Sequence, residues 1–468
     1  MKFGETGKWD RCCVYVRQAP VPLPAAHKPT DFIEYMILDL ICLVVSFETE
    51  EISEDLINRL PDDILVNIIS HLTLKEAART SVLSNRWRNL WTFTNSLEFD
   101  ASESLWNVGF GNLEQERSKY INWVNNVLEL HRGSTINEFK VRFDLCDFHQ
   151  SDITNWVYTV LGKRVQYIKL DLWPGRYGHY YTFPKEFYNS IESGRGLSGI
   201  KFLRCLHFKT VNVNGKDIEL FIQNCPLLDR LCVDHSKTLV RLRVIGSSIQ
   251  LKYLEIQSCY LMEEIEISAP SLLSFRYYGQ AIKINIENVP QLVDVSIRGS
   301  HTFRVTYFVG PIISCFPQLK TLELDSCNEV YMQFSLFELP KLIDLRLRVT
   351  TPNRESLLGL TCIMKACPFL QKLILQLNDH GRRLGKKRQQ FPKYSHQHLK
   401  VVELHGFLGR QFDVELAQYL FQNATMLEKL IIEPSRYVRK KVLRNCVKML
   451  EAKVPHSVKL IVGSLYTD

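Results

Sequence analysis

The sequence predicts an α/β fold in which a short module of three helices precedes a repeat array, whose strands form a curved parallel sheet. Three observations lead to this prediction. The chain has 468 residues, more than one compact core usually holds, so several domains or a repeat array are expected. Residues 55–100 carry apolar residues at helical spacing. From about residue 130 onward, a short apolar strand pattern recurs, from residue 226 every 20 to 29 residues.

The composition is that of an ordinary globular protein. Hydrophobic residues make up 46% and charged residues 23% of the chain, which argues against disorder over most of its length. The net charge of +8 is mild for this size and gives no nucleic-acid signature by itself. The 13 cysteines are odd in number and form no C-x-x-C pair, so we expect reduced thiols in the cytoplasm or nucleus.

Residues 1–54 are interpreted as an N-terminal extension of uncertain order. Residues 36–47 are apolar, but this stretch is shorter than the ~20 residues that a membrane span needs, and it contains Asp39. No membrane association is therefore predicted.

The helical module begins with good helix-start signals. Pro61 suits the first position of a helix, and Asp62 and Asp63 suit the positive end of the helix dipole. A T-x-x-E capping box at Thr73 predicts the start of a second helix, and Ser84 is expected to cap a third.

The module is richer in apolar residues than its own small core requires. Part of this apolar surface is therefore predicted to bind a partner. A helical cap that closes the end of the repeat array is the alternative, and the pattern alone does not separate the two.

The stretch LPDDILVNIISHL, followed by RTSVLSNRWRNLW, resembles the F-box motif of plant F-box proteins. The leucine-proline start, the isoleucine-leucine pair and the LS-x-RW-x-x-LW ending match in order and spacing. The resemblance implies that the module docks on a Skp-type adaptor and joins a cullin–RING ligase through it. The adaptor-binding residues that it implies are Leu60, Pro61, Ile64, Leu65, Ile68, Leu72, Trp87, Leu90 and Trp91.

The repeat frame is x-x-L-x-x-L-x-L, and proline often precedes it. Copies of this kind begin at Pro226, Pro270, Pro290, Pro317, Pro340 and Pro368. Frame and period are those of leucine-rich repeats. Two copies end in L-x-L-x-x-C, which predicts a structural role for Cys259 and Cys327. No unit can bury its apolar face alone, so neighbouring units are expected to stack.

Side chains that alternate with the inward ones are expected on the concave side of the sheet. They vary in sign and type from unit to unit, which suits recognition of a protein substrate better than binding of a uniform polyanion. For any single residue, a merely solvated position is the alternative. The candidate substrate-binding residues are Glu255, Gln257, Arg276, Tyr278, Arg298, Glu323, Asp325, Arg346, Arg348 and Gln376.

Residues 398–432 resemble the FBD region that follows the repeats in many plant F-box proteins. We therefore predict an F-box at 55–100, leucine-rich repeats at 101–395 and an FBD region at 396–468 that caps the array.

No catalytic, cofactor-binding or metal-binding residues are predicted. The G-x-G-x-x-G at 194–199 precedes a repeat strand instead of a helix, so it is interpreted as an inter-repeat loop. His396 and His398 are expected in a surface loop without a metal. The basic run in 380–393 has the composition of a nuclear-import signal or phosphate site, with a solvated loop as the alternative.

The sequence thus predicts a non-catalytic substrate-recognition subunit of a Skp–cullin–F-box ubiquitin ligase, located in the cytoplasm or nucleus. One alternative is an interaction protein that delivers no substrate. Another is a receptor whose repeats hold a small molecule. Nucleic-acid binding rests on residues 380–393 alone and is not predicted.

Overall fold

A computed structural model describes residues 56–102, 112–173, 179–193, 197–299, 317–327, 338–351, 364–379 and 394–463. The chain divides into two compact units, Met1–Thr73 and Leu74–Asp468. The boundary falls inside the predicted F-box. The N-terminal extension and the basic run of 380–393 lie outside the described residues.

The first unit contains a 3-10 helix, Leu56–Arg59, and helix α1, Asp62–Ile69. Pro61 is the N-cap of α1 and so precedes the predicted position by one residue. Asp62 and Asp63 occupy the first turn, where a negative charge is favoured by the helix dipole.

The second unit contains seven α-helices within its described part. They are α2 (Leu74–Arg79), α3 (Leu113–Leu130), α4 (Gln150–Gly162), α5 (Lys185–Glu192), α6 (Gly215–Asn224), α7 (Gln411–Asn423) and α8 (Lys440–Glu451). Short 3-10 helices occupy Thr80–Val82, Trp87–Phe93, Asp147–His149 and Ser198–Phe202.

Nineteen strands of the second unit are described. They are β1 (Ser96–Asp100), β2 (Glu138–Phe143), β3 (Tyr167–Leu172), β4 (Tyr181–Thr182), β5 (Cys205–Lys209), β6 (Val211–Asn212), β7 (Arg230–Asp234), β8 (Arg241–Ile245), β9 (Tyr253–Gln257), β10 (Glu264–Ser268), β11 (Ser274–Gly279), β12 (Lys283–Glu287), β13 (Asp294–Gly299), β14 (Thr321–Cys327), β15 (Asp344–Thr351), β16 (Lys372–Asp379), β17 (Val401–Phe407), β18 (Lys429–Pro434) and β19 (Lys459–Val462).

One parallel sheet of 14 strands forms the main layer, in the order β1-β2-β3-β5-β7-β9-β11-β13-β14-β15-β16-β17-β18-β19. Consecutive repeats thus supply neighbouring strands, as expected for stacked units. A second sheet, β12-β10-β8, and the pair β4-β6 are also parallel. The predicted fold class, helical segments followed by a leucine-rich-repeat array with a parallel sheet, is confirmed.

Register explains why the apolar pattern repeats so regularly. Leu231 pairs with Leu254, which pairs with Phe275, and Phe275 pairs with Val295; all four are buried. The same row continues through Leu322, Leu345 and later units. Each side chain therefore packs against the equivalent one in the next repeat, and a shift of one residue would move the whole row to the solvent face.

Directly after β5, β7 and β9 comes a residue with left-handed backbone conformation. Thr210, His235 and Ser258 have φ of 57°, 60° and 48°. Their N–H groups donate to Asp234, Gln257 and Tyr278 of the next strand at 2.8, 3.0 and 2.6 Å. The chain thereby makes one last ladder bond and then turns away from the sheet.

The sequence interpretation missed the second sheet. Its strands β8, β10 and β12 alternate strictly between buried residues and residues that are exposed (β8, β12) or partly exposed (β10). They stand where a repeat usually continues as a helix. The alternation was visible in the sequence, and β8 also fits the repeat frame as Leu239-x-x-Leu242-x-Val244, whereas β10 and β12 lack the leucines of that frame.

Three local predictions were wrong. Ser84 is not a cap, because the third helical segment is the 3-10 helix that begins at Trp87. Gly199, predicted in an inter-repeat loop, lies in the 3-10 helix Ser198–Phe202, where a Cβ would overlap the Leu161 carbonyl oxygen. His396 does not lie in a surface loop, because its side chain is buried; His398 is exposed.

Among the described residues, no helix has both the length and the apolar character that crossing a bilayer requires.

Candidate functional site

In the described part of the first unit, exposed or partly exposed apolar residues lie on α1 and next to both of its ends. Pro61 is exposed and the Ile64 side chain is 44% exposed, while Leu60, Ile68 and Leu72 are partly exposed. Ile64 and Ile68 are four residues apart, so they share one helix face. This face is available to a partner.

Leu65 and Ile69 of α1 are buried instead. In the second unit, Trp87 and Leu90 are also buried, and Trp91 is partly exposed. Of the predicted adaptor-binding residues, Leu65, Trp87 and Leu90 therefore occupy interior positions in this chain. Direct contact of these three with a partner stays a prediction, and their evident physical role is to support the residues around them.

The second unit exposes apolar residues in this region that the sequence analysis did not select. The side chain of Val82 is 87% exposed and that of Leu83 is 54% exposed, and Phe93 is exposed as well. The first two lie at the end of the 3-10 helix Thr80–Val82 and just after it. They fall outside the helical stripes, so periodicity gave no signal for them.

The helix Trp87–Phe93 is tied to the start of the repeat array. Its Thr92 carbonyl accepts a hydrogen bond from the Arg132 N–H at 2.8 Å, and the Thr94 carbonyl bonds to His131 Nε2 at 2.9 Å. Lys163 Nζ donates to the carbonyls of His131 and Gly133 at 2.9 and 3.0 Å. These bonds fix the segment after Trp87 rigidly to the first repeats.

The polar face of the main sheet is formed by the side chains that alternate with the buried rows. Register places Glu255, Arg276, Ser296, Glu323 and Arg346 side by side on the five strands β9, β11, β13, β14 and β15. A second row contains the remaining predicted residues: Gln257, Tyr278 and Arg298, then Asp325, Arg348 and Gln376. The structure thus brings the ten candidates together on one surface.

Arginines of this face are held by acidic neighbours. Arg276 pairs with Asp294 at 3.0 Å and Arg346 pairs with Asp344 at 3.1 Å. Arg298 lies 3.7 Å from Glu323 and 5.4 Å from the Tyr278 ring centroid. Such pairing fixes the orientation of the guanidinium groups and leaves N–H donors for a partner.

Asp325 is the most deeply placed acid of the polar face. Its pKa is raised by burial, an effect that Arg348 at 3.3 Å and the Gly299 N–H at 3.0 Å oppose. Arg348 also donates from Nε to Gln376 at 3.2 Å. Asp325 therefore organises Arg348 and is poorly placed to meet a partner itself.

A shallow depression of about 240 Å³ lies on the polar face. Glu255, Gln257, Arg276, Tyr278, Arg298, Glu323 and Arg346 line it together with Tyr277 and Ser296. Small-molecule sites are usually larger and mainly apolar, whereas this surface is small, open and charged.

No cluster of three or more metal-ligating side chains occurs in the part of the chain that the structure describes. The buried Cys259 has its Sγ 3.3 Å from the Gln257 carbonyl oxygen, and burial raises the pKa of this thiol to about 12. This thiol is therefore protonated at neutral pH and packs as a small apolar group. The side chain of Cys327 lies outside the described residues.

Two family models match the chain. The model described as "At1g61320/AtMIF1, LRR domain" matches residues 127–462, and the F-box domain model matches residues 57–98.

Curated relatives from Arabidopsis thaliana align over most of the chain. The FBD-associated F-box protein At4g10400 is 27% identical over 403 residues, which cover 81% of this chain and 92% of the relative. The F-box/FBD/LRR-repeat protein At5g53840 is 24% identical over 414 residues, with 81% and 88% covered. Since the repeat model spans well over half of the chain and the F-box model precedes it, this chain belongs to the plant F-box/FBD/LRR-repeat protein family.

Proposed function

We propose that this protein is the substrate-recognition subunit of a Skp–cullin–F-box ubiquitin ligase. The F-box docks on a Skp-type adaptor, and the polar face of the repeats binds a protein substrate. The single observation that carries the proposal is the combination, in one chain, of an F-box match at 57–98 with a repeat array that displays an organised polar face.

The chain itself performs no bond chemistry in this proposal. It holds the substrate next to a charged conjugating enzyme and so raises the effective concentration of substrate lysines. Within the second unit, the segment after Trp87 is held on the first repeats by hydrogen bonds from Thr92 and Thr94 to Arg132 and His131.

The geometry favours a protein substrate over a small-molecule receptor. A second cavity of about 400 Å³ is lined by α6, the loop after α6, β8 and the loop after β8, and includes none of the predicted substrate-binding residues. Among the charged groups that line the depression on the polar face, Arg298 pairs with Glu323, whereas Arg276 and Arg346 pair with Asp294 and Asp344. A protein surface that carries both acidic and basic side chains complements this depression, because its charges can pair with the arginines and acids there.

The proposed locations of the protein are the cytoplasm and the nucleus, where such ligases act.

Proximity labelling in plant cells tests the substrate half of the proposal. The double variant Arg276→Glu/Arg346→Glu reverses two cations of the polar face, and Arg241→Glu/Arg243→Glu makes the same charge change on the second sheet. We expect the first variant to lose labelling of a specific protein that the parent and the second variant retain. The lifetime of that protein should lengthen when the chain is depleted.

A labelled protein that stays bound to the polar-face variant would contradict the assignment of the surface. A protein that is lost with this variant, but whose lifetime never changes on depletion, would point to the non-degradative interaction module instead.

A further inference from the structure

A second charged surface lies in the C-terminal part of the chain, on helix α8. Residues 436–453 contain seven cations and the single acid Glu451, so this short segment carries a net charge of +6 out of +8 for the whole chain. All seven side chains are exposed: Arg436, Arg439, Lys440, Lys441, Arg444, Lys448 and Lys453.

Helix α8 has clearly distinct sides. Leu443, Cys446 and Leu450 are buried, and Cys446 Sγ lies 3.3 Å from the Gly409 carbonyl oxygen. The opposite side carries Lys441, Arg444 and Lys448, here named the basic stripe. Three and four residues separate its members, which puts them on one line about 10 Å long.

The basic stripe differs electrostatically from the polar face of the sheet. Arginines of the polar face are held by acids. Within the described residues, the seven cations of 436–453 form no ion pair; Arg436 lies over the Tyr437 ring, with 4.9 Å to the centroid. Their charge is therefore open to a ligand.

The positive charges do not stabilise helix α8. Arg439 is the N-cap, Lys440 and Lys441 form the first turn, and no acid occurs there. Cations at this end oppose the helix dipole and weaken the helix. The like charges at 440, 444 and 448, spaced four apart, weaken it further.

Apolar side chains border the basic stripe on one side. Val442 is 39% exposed and Met449 is 51% exposed. They are seven residues apart, about two helical turns, so they lie on nearly the same side of the helix. Tyr437, 75% exposed, precedes the helix. The surface thus combines a charged line with a flanking apolar strip.

We propose that α8 docks an acidic amphipathic helix of a partner protein, at a surface separate from the polar face. Carboxylates spaced three and four residues apart on such a helix have the same spacing as the stripe, and its apolar residues cover Val442 and Met449. Nucleic acid is less well matched, because a stripe of about 10 Å contacts few phosphates, whereas binding at physiological salt needs several. A membrane is less well matched, because membrane-binding helices insert an outward-facing apolar side, whereas the outward-facing side of α8 is the basic stripe and the apolar residues lie to one side of it.

Fluorescence anisotropy on the full chain tests the proposal. The probe is a labelled helical peptide with glutamates at positions i, i+4 and i+7 and leucines on the adjoining side. The variant Lys441→Glu/Arg444→Glu/Lys448→Glu is compared with Lys185→Glu/Lys216→Glu/Lys252→Glu, which changes three other exposed lysines and the same net charge. Circular dichroism checks that both remain folded.

We expect the parent and the control variant to bind the peptide, and the α8 variant to bind at least about tenfold more weakly, with a loss that shrinks as salt rises. Met449→Gln should weaken binding without changing its salt dependence. Equal binding by the two triple variants would overturn the proposal. So would a parent that ignores the peptide but binds a single-stranded oligonucleotide or phosphatidylserine vesicles through the same stripe.

Discussion

The buried His396 gives the sharpest stability prediction. Its ring joins two repeats: Nε2 donates to the Cys367 carbonyl at 3.0 Å, and Nδ1 accepts from the Leu399 N–H at 3.1 Å. The backbone of His396 also bonds to Asn423 and Thr425 of the next unit. His396→Phe keeps the volume roughly but leaves the buried Leu399 N–H without a partner, while the Cys367 carbonyl still accepts from the Leu370 N–H at 3.2 Å. At about 1–3 kcal/mol for one unsatisfied buried group, the free energy of unfolding should fall by about 1–3 kcal/mol.

Urea unfolding of the full chain, together with hydrogen exchange of residues 394–434, measures this effect. The matched control is His398→Phe, since His398 is exposed, and we expect it to change the stability by less than about 0.5 kcal/mol. His396→Gln retains a donor and an acceptor and should fall between the two. Equal stability of His396→Phe and the parent would refute the reasoning that this ring joins the repeats.

The same residue predicts a pH dependence. Burial lowers the pKa of His396, and nearby His398 lowers it further, whereas the bond to Cys367 opposes the shift. The unfolded chain therefore takes up a proton before the folded chain does as the pH falls below about 6.5. His396 then contributes a loss of stability of at most about 1.4 kcal/mol per pH unit, until its folded pKa is reached. His396→Phe should show a correspondingly shallower decline, and an unchanged slope would contradict this.

Two further predictions concern the interior of the array. Gly406 has φ +77°, and a Cβ there would lie 2.4 Å from the Leu377 carbonyl oxygen, so Gly406→Ala should lower the melting temperature. Gly162→Ala, at a helical position where a Cβ meets nothing within 4 Å, should leave it unchanged or raise it, and the opposite order would be inconsistent with this packing. Arg117 and Asp144 form a buried ion pair, so Arg117→Met should cost about 3–5 kcal/mol in urea unfolding. Arg117→Met/Asp144→Leu should recover much of that loss; a double variant no better than the single one would count against it.

The repeat array was the most predictable part of the fold. Its leucine frame predicts directly which residues face inward. Adjacent parallel strands pair equivalent positions of the frame, as Leu254 and Phe275 do, so the inward residues of successive repeats form one row. The same alternation predicts the polar face from the sequence alone. Period-2 patterns carry this information only where one face is buried.

Other features depend on contacts that a sequence pattern does not encode. His396 is predicted in a surface loop because no cysteine or carboxylate cluster accompanies it, but the Cys367 carbonyl and the Leu399 N–H satisfy its ring inside the array. The exposure of Val82 and the burial of Trp87 were equally hidden, since both are apolar and tertiary packing alone decides between them. The second sheet went unnoticed because its strands interrupt the expected repeat.

Burial of Trp87 also determines how the central claim should be tested. Substituting this residue removes a large interior side chain, at a cost of about 3–5 kcal/mol, so a negative binding result would have two explanations. Ile64 is exposed and changes the docking surface without opening a cavity. Phe148, an exposed apolar residue of the second unit, offers the matched control.

Co-purification of the full chain with a recombinant Skp-type adaptor tests the proposed F-box docking most directly, and the variants Pro61→Ala/Ile64→Glu and Phe148→Glu are compared with the parent. We expect a stoichiometric complex with the parent and with Phe148→Glu, and none with the folded Pro61→Ala/Ile64→Glu variant. A well-folded parent that binds no Skp-type adaptor would contradict it and leave the F-box segment as a cap of the repeat array.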